Sequence, residues 1–373
     1  MVKKGTIQLP LHSGHAPLWL IKRMQKLSYA ISKIIIEEHG QREFLRSISD
    51  PLWFQAFSCV LGFDWHSSGQ TTVVTGILKQ ALKPGIHGTM LAGGKGRKAV
   101  NAKVDVVNIS EIFGLPDYKV NELLYASRIS AKVDNAVVQD GFALYHHTML
   151  ITEDDSWAVI QQGMNPDSRM ARRYHWIADS VVDFVNEPHS GIISDSVNHQ
   201  ALDMVSRMSD ECRKTCVDIV NGNPSNVIPS VKRLPVKNSL DQWCGIKPVC
   251  TEAYTMPRNL DWDIFREVHD VRPRNYEELI AIKGVGPSVI RALALVAELV
   301  YGARPSWNDP VKFSFAHGGK DGVPYPVDRN TYDNSVKILM GAIEGAELER
   351  EAKLKALRRL ELYSHKLFPH QIV

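Results

Sequence analysis

Cysteine is scarce in this chain: five in 373 residues, an odd number spread over a long sequence, which excludes a disulfide framework. No apolar run approaches the roughly 18 residues needed to cross a bilayer; those present, such as 34–36, are short pieces. Residues 1–10 hold two lysines with no apolar segment behind them, so a secretory signal is not expected and a cytoplasmic protein is. Charge of one sign is also lacking. The formal net charge is only +3, which neither demands nor excludes a nucleic-acid partner and leaves the local distribution to decide. The glycine-rich stretch 93–98 has no Gly-Lys-Ser/Thr, so ATP binding by a P-loop is not predicted. Internal repeats and low-complexity tracts are absent as well.

What remains is ordinary globular material, 44% hydrophobic and 23% charged, in a chain long enough for two or three domains. Periodicity predicts an amphipathic helix over 18–39, a buried helix over 51–64, a third over 71–82 and another over 120–137. A short strand is expected at 86–92. Residues 142–152 and 157–164, on either side of Glu153-Asp154-Asp155-Ser156, read as a β-hairpin central to a sheet, because both faces are apolar. A helix is expected over 194–221, and a proline-bearing linker over 222–240. The predicted architecture is α/β (α+β) in an N-terminal domain, 1–221, with a small sheet built around the hairpin. An all-helical domain, 241–373, follows, and ends in a charged helix over 344–362. Cys212 and Cys216 share a helix face, but with Cys244 and Cys250 the spacing is unlike a zinc ribbon. Buried or free thiols are the better reading.

The strongest local pattern is YEELIAIKGVGPSVIRALALVAELVY, residues 276–301. A short helix meets Lys283-Gly284-Val285-Gly286, and a longer helix starts at Pro287, where a missing N–H costs nothing. Glycines there permit positive φ and a close approach of phosphate to the backbone. The leading amides of the second helix form an anion site, to which Lys283, Ser288 and Arg291 add donors. This resembles the helix-hairpin-helix motif, which grips a DNA backbone without reading sequence; the alternative is a helical corner with a glycine cap. Downstream, Gly318 to Asp328 is a Gly/Pro loop ending in aspartate, similar to the loop of helix-hairpin-helix DNA glycosylases. That resemblance implies catalysis by Asp328. Ser288 stands where the bifunctional enzymes carry lysine, which leaves a monofunctional glycosylase, and the gap to Asp328 is longer than in that family. A plain helix cap is the competing role for Asp328.

Polar residues gather around the hairpin: Lys132, Asp134, Asp140, His146, His147, Gln161, Gln162, Arg172 and Arg173. Alternation along a strand separates His146 from His147. With the turn centred between Asp154 and Asp155, His147 faces Gln162, Thr148 faces Gln161 and Asp140 faces Arg169, so His147 with Gln162 is the first candidate for a site. Asp134, Asp140 and His147 are the candidate ligands of a divalent metal, Mg2+ or Mn2+, with Arg172, Arg173 or Lys132 offsetting charge on a phosphate. A polar network that satisfies buried groups explains the same residues. MARRYHW, 170–176, interleaves cations with aromatics; it suits a nucleic-acid strand, or else a helix with one cationic face. Lys95 and Arg97, in a stretch without acidic residues from 83 to 103, suit a phosphate backbone.

Taken whole, the chain resembles, nearly end to end, a family of archaeal and bacterial proteins described only as a domain of unknown function. The resemblance is carried by LPLHSGHAPLWL (9–20), VLGFDWHSSG (60–69), SAKVDNAVVQDG (130–141), LYHHTML (144–150), QQGMN (161–165), ARRYHW (171–176) and FAHGGKDG (315–322). The functional expectation is a DNA-binding, nucleic-acid-processing protein, a metal-dependent DNA nuclease in repair. A metal-independent glycosylase using Asp328 and a non-catalytic DNA binder are the alternatives. DNA is the expected partner, with RNA and a homodimer left open and no membrane.

Overall fold

Asp50 accepts hydrogen bonds from the amides of Leu52 and Trp53, both at 2.8 Å, and Pro51 fills the first turn, so a helix must start there. The computed structural model, which describes residues 17–63, 68–194, 198, 200–222, 256–257, 260–261, 263–311, 313–314 and 329–367, places α1 at Leu18–His39, α2 at Gln41–Ser49, α3 at Pro51–Leu61 and α4 at Ser68–Ala81. α3 is mostly apolar and buried all round, its Ser58 hydroxyl donating to the Phe54 carbonyl at 2.7 Å. It ends at Gly62, whose φ of 119° only glycine takes readily.

After α5 (Pro84–His87) come β1 (Thr89–Lys95), α6 (Arg97–Val100), α7 (Ala102–Phe113) and α8 (Asp117–Lys132), which closes in a wide π-type turn, Val133–Val137. The chain then lays down β2 (Val138–Gln139), β3 (Ala143–Thr152), β4 (Trp157–Asn165), β5 (Met170–Ile177), β6 (Gly191–Ser194) and β7 (Leu202–Asp203). α9 (Asp210–Asn221), α10 (Asp263–Val271), α11 (Tyr276–Ala281), α12 (Pro287–Tyr301), β8 (Phe313–Ser314), α13 (Arg329–Gly345) and α14 (Arg350–Leu367) follow. Strands β1, β3, β4, β5 and β6 form an antiparallel sheet in that spatial order, with β8 parallel on β6; β2 and β7 make a separate pair. The protein is therefore mixed α/β, with β3 and β4 inside the sheet.

Both faces of the sheet are covered. Met149, Ile151, Val159 and Trp176 join α7, α8, α9 and the helices α10 to α12 in one apolar cluster. Leu150, Ala158, Ile160, Ile177 and Ile193 join α1 to α4, α13 and α14 in another. The described apolar residues beyond 256 thus divide between the two faces.

Four sequence expectations are corrected. The hairpin loop holds three residues: Thr152 pairs with Ser156, the Asp155 amide donates to Thr152 at 3.1 Å, and Asp155 sits at φ 64°. The turn is centred on Asp154, so His147 pairs with Gln161 and His146 with Gln162. The expected facing of His147 with Gln162, and of Thr148 with Gln161, is off by one residue, and a slip of one turns a side chain to the other face. Asp140 precedes β3 and meets Arg172, not Arg169. Residues 170–176 are the strand β5, not a helix, and the expected helix over 194–221 shrinks to α9, because Leu202–Asp203 pairs with β2. Most of the expected linker, Cys244, Cys250 and Asp328 lie outside the described residues.

Candidate functional site

Register carries one polar row across the sheet on the face beneath α4: Lys95 on β1 pairs with His146, His146 with Gln162, and Gln162 with Arg173. Threonines one turn apart on α4 meet it. Thr71 donates to Gln162 Oε1, and Arg173 Nη1 donates to Thr71 Oγ1 at 3.4 Å. Thr75 Oγ1 lies 3.0 Å from His146 Nε2. The Gln162 amide donates to the Ser68 carbonyl at 2.8 Å and to the Tyr145 hydroxyl. Tyr145 reaches inward because β3 bulges between Leu144 and His146. Arg173 Nε donates to His175 Nε2 at 2.8 Å, and the guanidinium lies 4.5 Å from the Phe54 ring centre. Burial pushes His146 down to about 3, His175 well below its usual value and Arg173 down to about 9.

Arg172 faces the other way and is differently served. Its guanidinium donates to Asp140 at 2.8 Å and to both oxygens of Asp309, at 2.9 and 2.7 Å, and lies 4.5 Å from the Phe142 ring centre. Asp140 also accepts from the Tyr174 hydroxyl at 2.7 Å. Burial raises the Asp140 carboxyl, against the pull of Arg172. Both cations of MARRYHW, read from sequence as meeting nucleic acid, are fully enclosed. Neighbours on a strand, one is held by two carboxylates and the other by none among the described residues. Isolating a charge in a protein interior costs several kcal/mol, so this asymmetry needs an explanation.

On the same side as Arg172, His147 pairs with Gln161 and Gln161 with Tyr174. Here a hydrogen-bonded chain links Ser127 to His147 Nε2 (2.8 Å), His147 Nδ1 to Gln161 Oε1 (3.0 Å) and Gln161 Nε2 to Asp134 Oδ2 (2.6 Å). The chain ends in His189, 2.5 Å from Asp134 Oδ1; Trp176 Nε1 also donates to that carboxylate, at 2.9 Å. Since Gln161 turns its amide to Asp134, its carbonyl faces His147. His147 therefore carries its proton on Nδ1 and accepts from Ser127 at Nε2. Desolvation lowers His147 and raises Asp134.

The sequence-derived metal set is thus divided. Asp134 and His147 share one network through Gln161, Asp140 belongs to the Arg172 cluster, and Gln162 lies on the opposite face. Among the described residues no group of three or more His, Cys, Asp or Glu is placed to hold a metal ion. Lys132 is half-buried, lowered by desolvation and then by Arg128. Ser127, Thr71, Thr75, His189 and Asp309 escaped the sequence reading. They come from distant elements, and a strand reading of 170–176 would have shown only that Arg172 and Arg173 face apart.

Two basic, glycine-bearing segments reach solvent, the first running from the end of β1 into α6 and the second between α11 and α12. In 93–98, Lys95, Arg97 and Lys98 are exposed, and Lys95 stands 5.8 Å from the Tyr145 ring centre. Gly93 is required there: a Cβ would lie 2.3 Å from the His147 carbonyl oxygen. At the second loop, Lys283 and Gly284 are exposed while Val285 is buried. Gly284 takes φ 93°, and Gly286 precedes α12, whose start has no side-chain cap. Ser288 is half-buried. Arg291 donates to Gln139 at 2.9 Å and lies over Trp307, and Gln139 donates to the Pro287 carbonyl at 2.8 Å. Arg291 thereby fastens α12 to the end of β2. Cys212 and Cys216 are buried free thiols on α9.

The chain belongs to the DUF763 family of proteins of unknown function, whose family model matches residues 5–327. No curated protein matches it, and no solved structure does. No helix among the described residues is long and apolar enough to cross a membrane.

Proposed function

We propose that this member of the family binds the phosphate backbone of DNA without reading its sequence, through the helix-hairpin-helix-like turn between α11 and α12. The observation that carries the reading is the turn itself: exposed Lys283 and Gly284, positive φ at Gly284, and a 15-residue helix whose first amides no side chain caps. Such an end attracts phosphate by dipole and by free N–H groups. The exposed Lys95, Arg97 and Lys98 offer a second backbone contact. Binding is the whole of the reading. Cleavage with Mg2+ or Mn2+ by Asp134, Asp140 and His147 would first require freeing two carboxylates already bonded to His189 and Arg172. Base excision by Asp328 rests on a residue outside those described.

The test is fluorescence anisotropy on several duplexes of unrelated sequence over a salt series. Lys283→Glu is expected to weaken all of them alike, by about tenfold or more, and to lower the slope of log affinity against log salt by about one. Unchanged affinity and slope in that variant would refute the reading.

A further inference from the structure

We infer that the row ending at Arg173 receives a phosphate monoester, the phosphorylated end of a nucleic-acid strand. The inference rests on the nucleic-acid reading above and names what the sheet-side site recognises. Its first support is the contrast between neighbouring arginines. Both are wholly buried, yet Arg172 has two carboxylates and Arg173 has none among the described residues, meeting instead His175, Thr71, the Phe54 ring and Tyr363. A guanidinium fork matches phosphate oxygens in pairs, and it is the cation that keeps its charge in an enclosed site.

A second, independent support is a set of buried polar atoms in or next to this row that have no partner among the described residues. Arg173 Nη2 and His146 Nδ1 belong to the row, and both amide atoms of Gln70 belong to α4, beside Thr71. Buried polar groups in folded proteins are nearly always satisfied, by protein, water or ligand. Two orphans in the row itself, with a third buried side chain next to Thr71, point to an occupant with hydrogen-bonding oxygens.

The row's own course supports the class of ligand. It starts at exposed Lys95, in the basic loop with Arg97 and Lys98, and runs inward past Tyr145, His146 and Gln162. At about 4.8 Å per strand it spans roughly 14 Å. At its inner end Phe54 of α3 stacks on the guanidinium and Tyr363 of α14 lies near it. A bridging diester would need a way in and a way out for the chain, whereas an enclosed inner end would suit a terminal phosphate. The monoester also carries the higher charge, about −1.5 to −2 at neutral pH.

The test uses the full chain with one oligonucleotide in three forms, carrying a 5′-phosphate, a 3′-phosphate or hydroxyls at both ends, and inorganic phosphate as competitor. One phosphorylated form is expected to bind on the order of 10- to 100-fold more tightly than the hydroxyl form, and which one identifies the polarity. Arg173→Gln should abolish that preference and, by removing an uncompensated buried charge, hold or raise the urea midpoint. Arg173→Lys, which keeps the charge and loses the fork, should reduce the preference; it stands in should the glutamine variant fail to fold. Equal binding of all three forms by the wild type overturns the inference and leaves the hairpin reading intact. If no form binds, while inorganic phosphate protects the wild type against unfolding and not Arg173→Gln, the nucleic-acid reading falls and the anion site stands. No binding and no protection overturns both.

Discussion

Replacing Arg172 with methionine, close in length and uncharged, should be among the most damaging single changes in this chain. Removing one member of a buried ion pair costs about 3–5 kcal/mol, because the remaining charge stays desolvated and alone. Here one guanidinium serves Asp140 at 2.8 Å and Asp309 at 2.7 Å, with both acids almost wholly enclosed. The loss should therefore fall near the upper end, about 5 kcal/mol, against a total of roughly 5–15 kcal/mol for a folded domain. The penalty should depend on pH in a definite direction. Burial already holds the Asp140 carboxyl above its usual value while Arg172 pulls it down, so in the variant it rises further. A carboxyl raised in the folded state costs nothing below its unfolded value near 4. Above it, the cost grows by about 1.4 kcal/mol per pH unit until the folded value is passed. Urea unfolding followed by circular dichroism at pH 5 and pH 8 should thus give a larger deficit at pH 8. Adding Asp140→Asn and Asp309→Asn should recover much of it, since no lone charge then remains. A deficit under about 1 kcal/mol, or one equal at both pH values, would refute the buried ionic triad. The same logic predicts that Asp140→Asn alone acts on stability.

Gly284→Val places a β-branched residue at φ 93°, with its Cβ about where Ile264 Cδ1 lies, 2.4 Å away. It should cost about 1–3 kcal/mol and weaken duplex binding, while the far-UV spectrum stays that of a folded chain; full affinity would count against the hairpin. His146 and His175 should stay neutral from pH 8 to pH 5, with imidazole resonances that do not titrate. A base lowered on folding takes up its proton more readily when unfolded. Stability should therefore fall as pH drops below about 6.5, by about 1.4 kcal/mol per unit for each such histidine, and for His146 continue down to about pH 3. A midpoint near 6.5 in those resonances would show that the sheet's polar rows are open to water.

Much of the fold can be read along the chain, because local physics decides it. Pro17 ahead of an apolar stripe, Asp50-Pro51 at a helix start and Pro287 after a glycine pair mark helix ends at which the structure agrees. The site is less legible. Whether His147 meets Gln161 or Gln162 turned on a three-residue loop with Asp155 in a left-handed conformation, where a two-residue turn had been expected. That single step put Gln162 on the other face, with His146, and separated the His147 and Gln162 expected to form a pair.

The amino-acid order by itself determined where the helices at 18, 51 and 287 begin, that a hairpin would lie inside a sheet, and that a glycine turn would stand before a long helix. These depend on neighbours within a few residues. Tertiary structure alone decided that Arg172 would find Asp140 and Asp309, 32 and 137 residues away, while Arg173 would find no acid among the described residues. A strand sends consecutive side chains to opposite faces, and what waits on each face is set by elements distant in the chain.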